Sequence, residues 1–184
     1  TAPPGYETQL TWLLRTVEDG FTPFVLLYGP RSTGKSHLLD ALADQLTEDR
    51  TVLRLTGQEL LLNAKHVLSF SVARAEAKCV FLVDDLETVL SPASDRTDDE
   101  AAALKQLWRF LLRLRREVGG CGVVAACTIA EDGVSDAEIG EASREGRFDA
   151  VVPLGRPDRQ QRAKILAAVA PPGTSTRPLV DLSA

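Results

Sequence analysis

Five runs of apolar residues recur along the chain, each bounded by turn-forming or charged residues. Nearly every position within a run is apolar, unlike the alternating pattern of a strand that faces water on one side. Continuous apolar runs are typical of parallel strands that are covered by helices on both faces. We therefore predict five buried strands, over residues 24–28, 51–55, 79–83, 122–127 and 150–154.

The segments between these runs carry apolar residues at helical spacing. After the first strand the spacing marks a helix at Leu38, Leu39, Leu42 and Leu46. A longer stripe precedes the fourth strand, at Leu104, Leu107, Trp108, Leu111, Leu114 and Val118. A further amphipathic segment, residues 10–17, precedes the first strand, and we predict a helix over residues 158–169 after the last strand. Strands that alternate with helices predict an α/β fold, a three-layer domain with a five-stranded parallel sheet between helical layers.

Turn-forming residues divide the chain. Residues 91–100 contain proline, serine and four acids, and we interpret them as an exposed loop. The run Pro171-Pro172-Gly173 ends the alternation of strands and helices. We therefore expect one α/β subdomain over residues 1–170, followed by a linker and the start of a further apolar segment over residues 171–184.

Composition excludes several classes of protein. The 184 residues are 44% hydrophobic and 26% charged, close to the average of globular domains. A formal net charge of −5 disfavours broad nucleic-acid contact, so nucleic acid is not an expected partner. The cysteines are odd in number and lie in apolar segments, which favours reduced thiols and an intracellular, cytoplasmic location. No apolar run approaches the roughly 20 residues of a membrane-spanning helix, and we expect no transmembrane segment.

The first strand leads into a glycine-rich sequence, Gly29-Pro30-Arg31-Ser32-Thr33-Gly34-Lys35-Ser36. Its two glycines permit a tight loop whose N–H groups face an anion, and the following helix adds the partial positive charge of its N-terminus. Lys35 can then reach the β- and γ-phosphates of ATP, and the Ser36 hydroxyl can bind Mg²⁺. The residues predicted to bind this cofactor are Gly29, Pro30, Arg31, Ser32, Thr33, Gly34, Lys35, Ser36 and His37.

The third strand ends in two adjacent carboxylates, Asp84 and Asp85. Ligands of open α/β sheets bind at the carboxyl ends of the strands. Asp84 is therefore a candidate metal residue that acts on magnesium through water, and Asp85 is a candidate for polarising the attacking water. Neighbouring carboxylates disfavour each other's charge, and magnesium supplies the cation that such a pair needs.

Together these motifs resemble the AAA+ ATPases, and within them the classical AAA branch of valosin-containing protein, the N-ethylmaleimide-sensitive fusion ATPase and the peroxisomal biogenesis ATPases. Residues 29–36 resemble the Walker A motif of this family, and residues 80–85 resemble Walker B. Residues 123–128 are similar to the sensor-1 strand, with Thr128 where Asn is usual beside the γ-phosphate. Residues 144–149, followed by Pro157-Asp158, resemble the second region of homology.

The resemblance implies an ATPase module whose active site is shared between subunits. In the family, the arginines at the positions of Arg144 and Arg147 reach the ATP of the neighbouring subunit, where such an arginine finger offsets the charge of the transferring phosphoryl group. The catalytic residues implied are Asp85, Thr128, Arg144 and Arg147. The implied partners are neighbouring AAA subunits in a homo- or hetero-hexameric ring, and a protein substrate or adaptor that the ring remodels or unfolds.

The chain departs from the family pattern in three places. Asp85 stands where the family usually has Glu, which is one methylene longer, so slow or absent hydrolysis is an expected consequence. Residues 57–67 lack the aromatic with which threading members grip polypeptide. We expect the helical lid of the family to be absent or truncated after residue 170. Gly5 and Tyr6 are assigned to the adenine side by resemblance alone.

Two other functions stay open. In the first, a weakly or non-hydrolysing module binds ATP as a structural ligand between ring neighbours, which the short Asp85 motivates. The second, a P-loop small-molecule kinase, lacks an obvious acceptor site and leaves Arg144 and Arg147 unexplained.

The two histidines, His37 and His66, are too isolated to form a metal site. We interpret the arginines at helical spacing opposite the leucine stripe as a solvated face; they are Arg109, Arg113 and Arg116.

Overall fold

The structure, a computed structural model, describes residues 5–18, 24–46, 50–63, 66, 79–89, 98–117, 121–128, 140, 142–144 and 147–169. The strands of this part of the chain are β1 (Phe24–Gly29), β2 (Thr51–Thr56), β3 (Cys79–Asp84), β4 (Cys121–Thr128) and β5 (Ala150–Pro153). They form one five-stranded sheet in the order β2-β3-β4-β1-β5, and every neighbouring pair is parallel. The predicted parallel sheet is confirmed, and each strand ends within one residue of its predicted position.

Helices cover both faces of the sheet. The described helices are α1 (Glu7–Glu18), α2 (Lys35–Leu46), α3 (Gly57–Leu62), α4 (Asp98–Glu117) and α5 (Arg159–Val169). Successive residues of a strand face opposite sides, so Val25 and Leu27 of β1 pack with α1 and α2, while Phe24 and Leu26 pack with α3 and α4. Two core clusters, one on each face, bury the central strands β1, β3 and β4, while the edge strands β2 and β5 are only partly buried. The three-layer architecture is confirmed.

The start of α4 differs from the prediction. Residues 98–100 are helical, although the sequence pattern assigned them to an exposed loop. Carboxylates in a first helical turn interact favourably with the partial positive charge of the helix N-terminus, so acidity here marks a helix start rather than a loop. The predicted stripe is buried at Leu104, Leu107, Leu111 and Leu114. Trp108 is half-buried, and Val118 lies outside the described residues.

The first turn of α5 is closed by a reciprocal pair of hydrogen bonds. The Gln161 amide donates to Oδ1 of Asp158 at 2.8 Å, and the Asp158 amide donates to Oε1 of Gln161 at 2.9 Å. This capping box satisfies two amides that a helix start leaves without partners, and it fixes where α5 begins. The predicted division at residue 170 and the segment 171–184 lie outside the described residues. None of the described helices is both long and apolar enough to cross a membrane.

A close backbone approach fixes the end of β1. The Leu154 amide donates to the Tyr28 carbonyl at 2.7 Å. A Cβ built on Gly29 would lie 2.0 Å from the Leu154 carbonyl oxygen. Only glycine fits this position, because any side chain would push the chain after β5 away from β1. The glycine-rich loop therefore leaves the sheet from a point that backbone packing already determines.

We expect Gly29→Ala to destabilise the domain by about 1–3 kcal/mol, as overpacking of a closed site does. The matched control is Gly155→Ala, because no atom lies within 4 Å of a Cβ built on Gly155. Urea unfolding followed by circular dichroism measures both variants. Equal unfolding midpoints for the two alanine variants would contradict the packing argument.

Candidate nucleotide-binding site

The glycine-rich loop joins β1 to α2 with two residues in the left-handed region. Gly34 has φ 83° and Ser32 has φ 61°. Left-handed backbone costs a non-glycine residue roughly 1–2 kcal/mol, so the surrounding contacts must hold Ser32 in place. Because α2 begins directly after Gly34, its first amides have no partners within the helix and remain available to an anion.

The Lys35 ammonium lies inside the loop. Its Nζ donates to the Gly29 carbonyl at 2.8 Å and to the Pro30 carbonyl at 2.7 Å, and lies 3.4 Å from Oγ1 of Thr33. Burial lowers the pKa of Lys35, an effect that the nearby carboxylates, Glu87 first among them, oppose. The lysine is buried at 5% exposure. The loop therefore supplies a desolvated positive charge at its centre, which attracts a phosphate more strongly than an exposed lysine does.

A cavity of about 500 Å³ opens beside the loop, within the usual size range of small-molecule sites. The residues that line it are Arg31, Ser32, Thr33, Gly34, Lys35, Ser36, His37, Asp85 and Glu87. All predicted cofactor-binding residues from 31 to 37 are thus brought together around one space. Gly29 and Pro30 do not line it, and their carbonyls instead hold Lys35.

Asp84 is the last residue of β3 and is half-buried. Its Oδ1 accepts the Asp85 amide at 3.0 Å, which fixes the carboxylate at the carboxyl end of the sheet. Strand β4 lies between β3 and β1, and its Thr128 backbone pairs with Gly29. The predicted sensor position is therefore adjacent to the start of the loop; the Thr128 side chain lies outside what the structure describes.

Asp85 is exposed and adopts a left-handed conformation, with φ 51° and ψ 42°, at the start of the 3-10 turn Leu86–Thr88. Partial burial raises the pKa of Asp85, and the negative charges of Asp84 and Glu87 raise it further, against the lowering effect of Arg31 and Lys35. A cation at this edge would relieve that repulsion.

The residues at this edge fit a magnesium ion. Ser36 is exposed at the start of α2, and together with Asp84 it offers the hydroxyl and carboxylate oxygens that the ion prefers. In the described part of the chain no group of three or more His, Cys, Asp or Glu side chains could hold a metal by itself. Magnesium commonly takes one or two protein ligands and completes its shell with phosphate and water, so two ligands suffice.

Sequence reasoning missed Glu87. This carboxylate lines the same cavity as Asp85 and the loop. In the sequence, Glu87 follows Asp85 by two residues, and this short spacing was the available signal. The 3-10 turn after Asp85 folds the chain back toward the loop and so brings Glu87 to the cavity. The cavity therefore holds a second carboxylate that is one methylene longer than Asp85.

Tyr6 fastens the start of α1 to the glycine-rich loop. Its hydroxyl donates to the Thr33 carbonyl, and its ring lies 3.1 Å from a Cβ built on Gly34. Gln161 of α5 donates from Nε2 to the Gly5 carbonyl at 3.0 Å. A continuous set of contacts thus joins the start of α5, the start of α1 and the loop. Adenine contact by Gly5 and Tyr6 stays a prediction.

The two predicted finger arginines lie at the other end of the sheet. They belong to the described residues 142–144 and 147–149, which precede β5. Arg144 is exposed and Arg147 is half-buried. The Asp149 amide donates to the carbonyl of Phe24, the first residue of β1, at 2.7 Å. Strand β1 separates Phe24 from Gly29 by about 16 Å at roughly 3.3 Å per residue. The structure therefore does not bring the arginines to this chain's own loop.

Residues 5–170 match the AAA ATPase domain family. Because this match covers most of the chain, the chain belongs to that family, whose members bind nucleotide. The sequence resemblance to AAA ATPases is confirmed.

The relatives of the chain include proteasome-activating nucleotidases and a 26S protease regulatory subunit. It is 31% identical over 153 residues to a proteasome-activating nucleotidase of Methanococcus maripaludis, covering 77% of this chain and 35% of that protein. It is 30% identical over 149 residues to proteasome-activating nucleotidase 1 of Haloferax volcanii, covering 75% and 34%. It is also 30% identical over 153 residues to 26S protease regulatory subunit 6A of Caenorhabditis elegans, covering 77% and 34%. The chain spans about a third of the length of these relatives.

We expect Tyr6→Phe to weaken ATP binding about two- to tenfold, the effect of losing one hydrogen bond worth roughly 0.5–1.5 kcal/mol. The ring stays against Gly34, but the Thr33 carbonyl loses its donor, so the loop is less restrained before it binds. Calorimetric titration with ATP measures the change. The control is Tyr28→Phe, which removes the same atom from β1; equal affinities in the two variants would exclude this role for Tyr6.

Proposed function

We propose that this domain binds Mg-ATP at the glycine-rich loop and hydrolyses it as one module of a hexameric ring of like or unlike AAA subunits. In the ring, each ATP lies between the loop of one subunit and the arginines of the next. The observation that carries this proposal is the separation of Arg147 from its own loop by the length of β1. An arginine that cannot reach its own nucleotide is suited to act on a neighbour's.

The loop side of the site binds and orients ATP. The first amides of α2 and the desolvated Lys35 attract the phosphates, which compete with the carbonyls of Gly29 and Pro30 for the ammonium protons. Ser36 and Asp84 would hold the magnesium ion. That ion neutralises charge on the β- and γ-phosphates when it is bound.

Hydrolysis in this proposal uses a carboxylate to orient the attacking water. Asp85 lines the phosphate cavity, where its carboxylate can accept a hydrogen bond from the attacking water. Thr128 is proposed to act beside the γ-phosphate, because its backbone pairs with Gly29. Arg144 and Arg147 then offset the developing charge from the neighbouring subunit.

A protein is the proposed partner of the ring. The names of the relatives connect them with proteasomes and with a 26S protease, both of which act on proteins. The net charge of −5 gives no support for nucleic acid as a partner. We propose that residues 1–170 form the α/β subdomain and that residues 171–184 form a linker and the start of a helical lid.

Mixed rings test the shared site. We expect Lys35→Ala to abolish ATP turnover of the full-length protein and Arg147→Ala to lower kcat by about a thousandfold or more, as for other arginine fingers. Equimolar co-assembly of the two inactive variants should restore about a quarter of the sites. A site is active only where an Arg147→Ala subunit, with an intact loop, is followed by a Lys35→Ala subunit, with an intact arginine, and random mixing gives each condition about half of the time. Rings of each variant alone are the controls. If mixing restores no ATP turnover, the proposal of a shared site is wrong, whereas the proposal that the loop binds ATP is unaffected.

The second candidate function, a ring module in which ATP is structural, is favoured by the short side chain of Asp85. Three variants separate the two functions: Asp85→Asn, Asp85→Glu and Glu87→Gln. For an active ATPase we expect Asp85→Asn to lower kcat by about 10²–10⁴, the contribution of a general base. Asp85→Glu should retain or increase turnover.

Glu87→Gln is the matched control, because Glu87 lines the same cavity. A larger fall in kcat for Glu87→Gln than for Asp85→Asn would assign the water to Glu87 instead. Low turnover that none of the three changes alters, together with ATP-dependent assembly in analytical ultracentrifugation, would support the structural role of ATP.

A further inference from the structure

A cluster of side chains joins α4 to the segment that carries the proposed finger arginines. Arg115, near the end of α4, donates from Nη1 to Oδ1 of Asp149 at 2.8 Å and from Nη2 to Oδ2 at 3.1 Å. The same Nη2 donates to the backbone carbonyl of Arg147 at 2.8 Å. One guanidinium therefore holds both the ion-pair partner and the main chain of the arginine segment, a use of its planar fork that a lysine cannot reproduce.

Asp149 extends this contact to the central strand. Its Oδ2 accepts the Phe24 amide at 2.8 Å, while its own amide donates to the Phe24 carbonyl. The Arg115 guanidinium also lies 4.4 Å from the centroid of the Phe24 ring. The Arg115–Asp149 pair is partly exposed, with 34% and 42% of the side chains accessible, so water screens its charge. Its value here is geometric, because it fixes the segment against two rigid elements.

Trp108, two turns before Arg115 on α4, contacts the side chain of Arg147. The Arg147 guanidinium lies 4.4 Å from the centroid of the Trp108 ring. The buried Phe148 ring packs edge-on against the same indole, with centroids 6.1 Å apart and planes at 81°. Helix α4 thus holds Arg147 in two ways, by its carbonyl through Arg115 and by its guanidinium through Trp108.

We propose that Arg115 is the positioning residue for Arg147, fixing its main chain on α4 so that the guanidinium is aimed at the nucleotide of a neighbouring copy. This inference rests on the proposed function, in which Arg147 acts across the interface. Arg115 does not touch ATP. It limits the positions that the long, flexible arginine side chain can reach, and a misplacement of about 1 Å can cost a hundredfold in rate.

The test is ATP turnover of the assembled full-length protein carrying Arg115→Ala. We expect kcat to fall about 10- to 100-fold, with an unchanged dissociation constant for ATP, because the subunit's own loop is intact. The kcat of Arg115→Lys should lie between those of the wild type and Arg115→Ala, because lysine keeps the positive charge but not the planar guanidinium. The matched control is Arg116→Ala, which removes the same charge from the next position of α4 and should retain wild-type turnover.

Two further measurements distinguish positioning from a general structural role. The double variant Arg115→Ala/Arg147→Ala should have the same kcat as Arg147→Ala alone, because Arg115 acts only through Arg147 and both changes remove the same contribution. Co-assembly of Arg115→Ala with Lys35→Ala subunits should restore turnover as far as co-assembly of Arg147→Ala does. A defect that spread to the subunit's own loop could not be complemented in this way and would overturn the proposal.

The outcomes separate this inference from the proposal on which it rests. Wild-type kcat in Arg115→Ala, together with a loss in Arg147→Ala, would overturn the positioning role and leave the shared site standing. Wild-type kcat in Arg147→Ala would overturn both. If Arg115→Ala does not melt cooperatively, Arg115→Lys carries the same test, and wild-type kcat in Arg115→Lys together with a loss in Arg147→Ala overturns the positioning role.

Discussion

Strand β1 is hydrogen-bonded along both edges, to β4 and to β5, and this constraint fixes the rest of the site. Its carboxyl end leads into the phosphate loop, whereas its first residue, Phe24, is hydrogen-bonded to Asp149, the residue directly before β5. A strand held by two ladders and buried on both faces cannot bend without breaking them. The distance between Lys35 and Arg147 is therefore a property of the sheet rather than of the loops.

The sequence pattern predicted the sheet because strands covered by helices on both faces are apolar at nearly every position, a signal that needs no tertiary information. The loop was predictable because phosphate binding requires glycines and a lysine at fixed spacing. The start of α4 was missed, since acids favour both loops and helix N-termini. Contacts such as Tyr6 with Thr33, or Arg115 with Asp149, join residues far apart in the chain, and only the fold brings them together.

The charges at the carboxyl end of the sheet, in and beside the cavity, are nearly balanced before any ligand binds. Arg31 and Lys35 oppose Asp84, Asp85 and Glu87, and the pKa directions of Lys35 and Asp85 reflect both burial and this opposition. Phosphates add negative charge to a site that already holds three carboxylates. A divalent cation is the simplest way to restore the balance, which gives a physical reason for a nucleotide and magnesium to bind as a pair.

The contacts from Gln161 through Gly5 and Tyr6 to Thr33 have a thermodynamic consequence. Because they join α5 to the loop, whatever shifts the orientation of α5 changes the free energy of the loop, and the converse holds by the same amount. This reciprocity requires no large movement. It requires only that the free energy of the loop depends on the orientation of α5, and the free energy of α5 on the conformation of the loop. Helix α5 and the phosphate loop are therefore coupled in free energy through two hydrogen bonds.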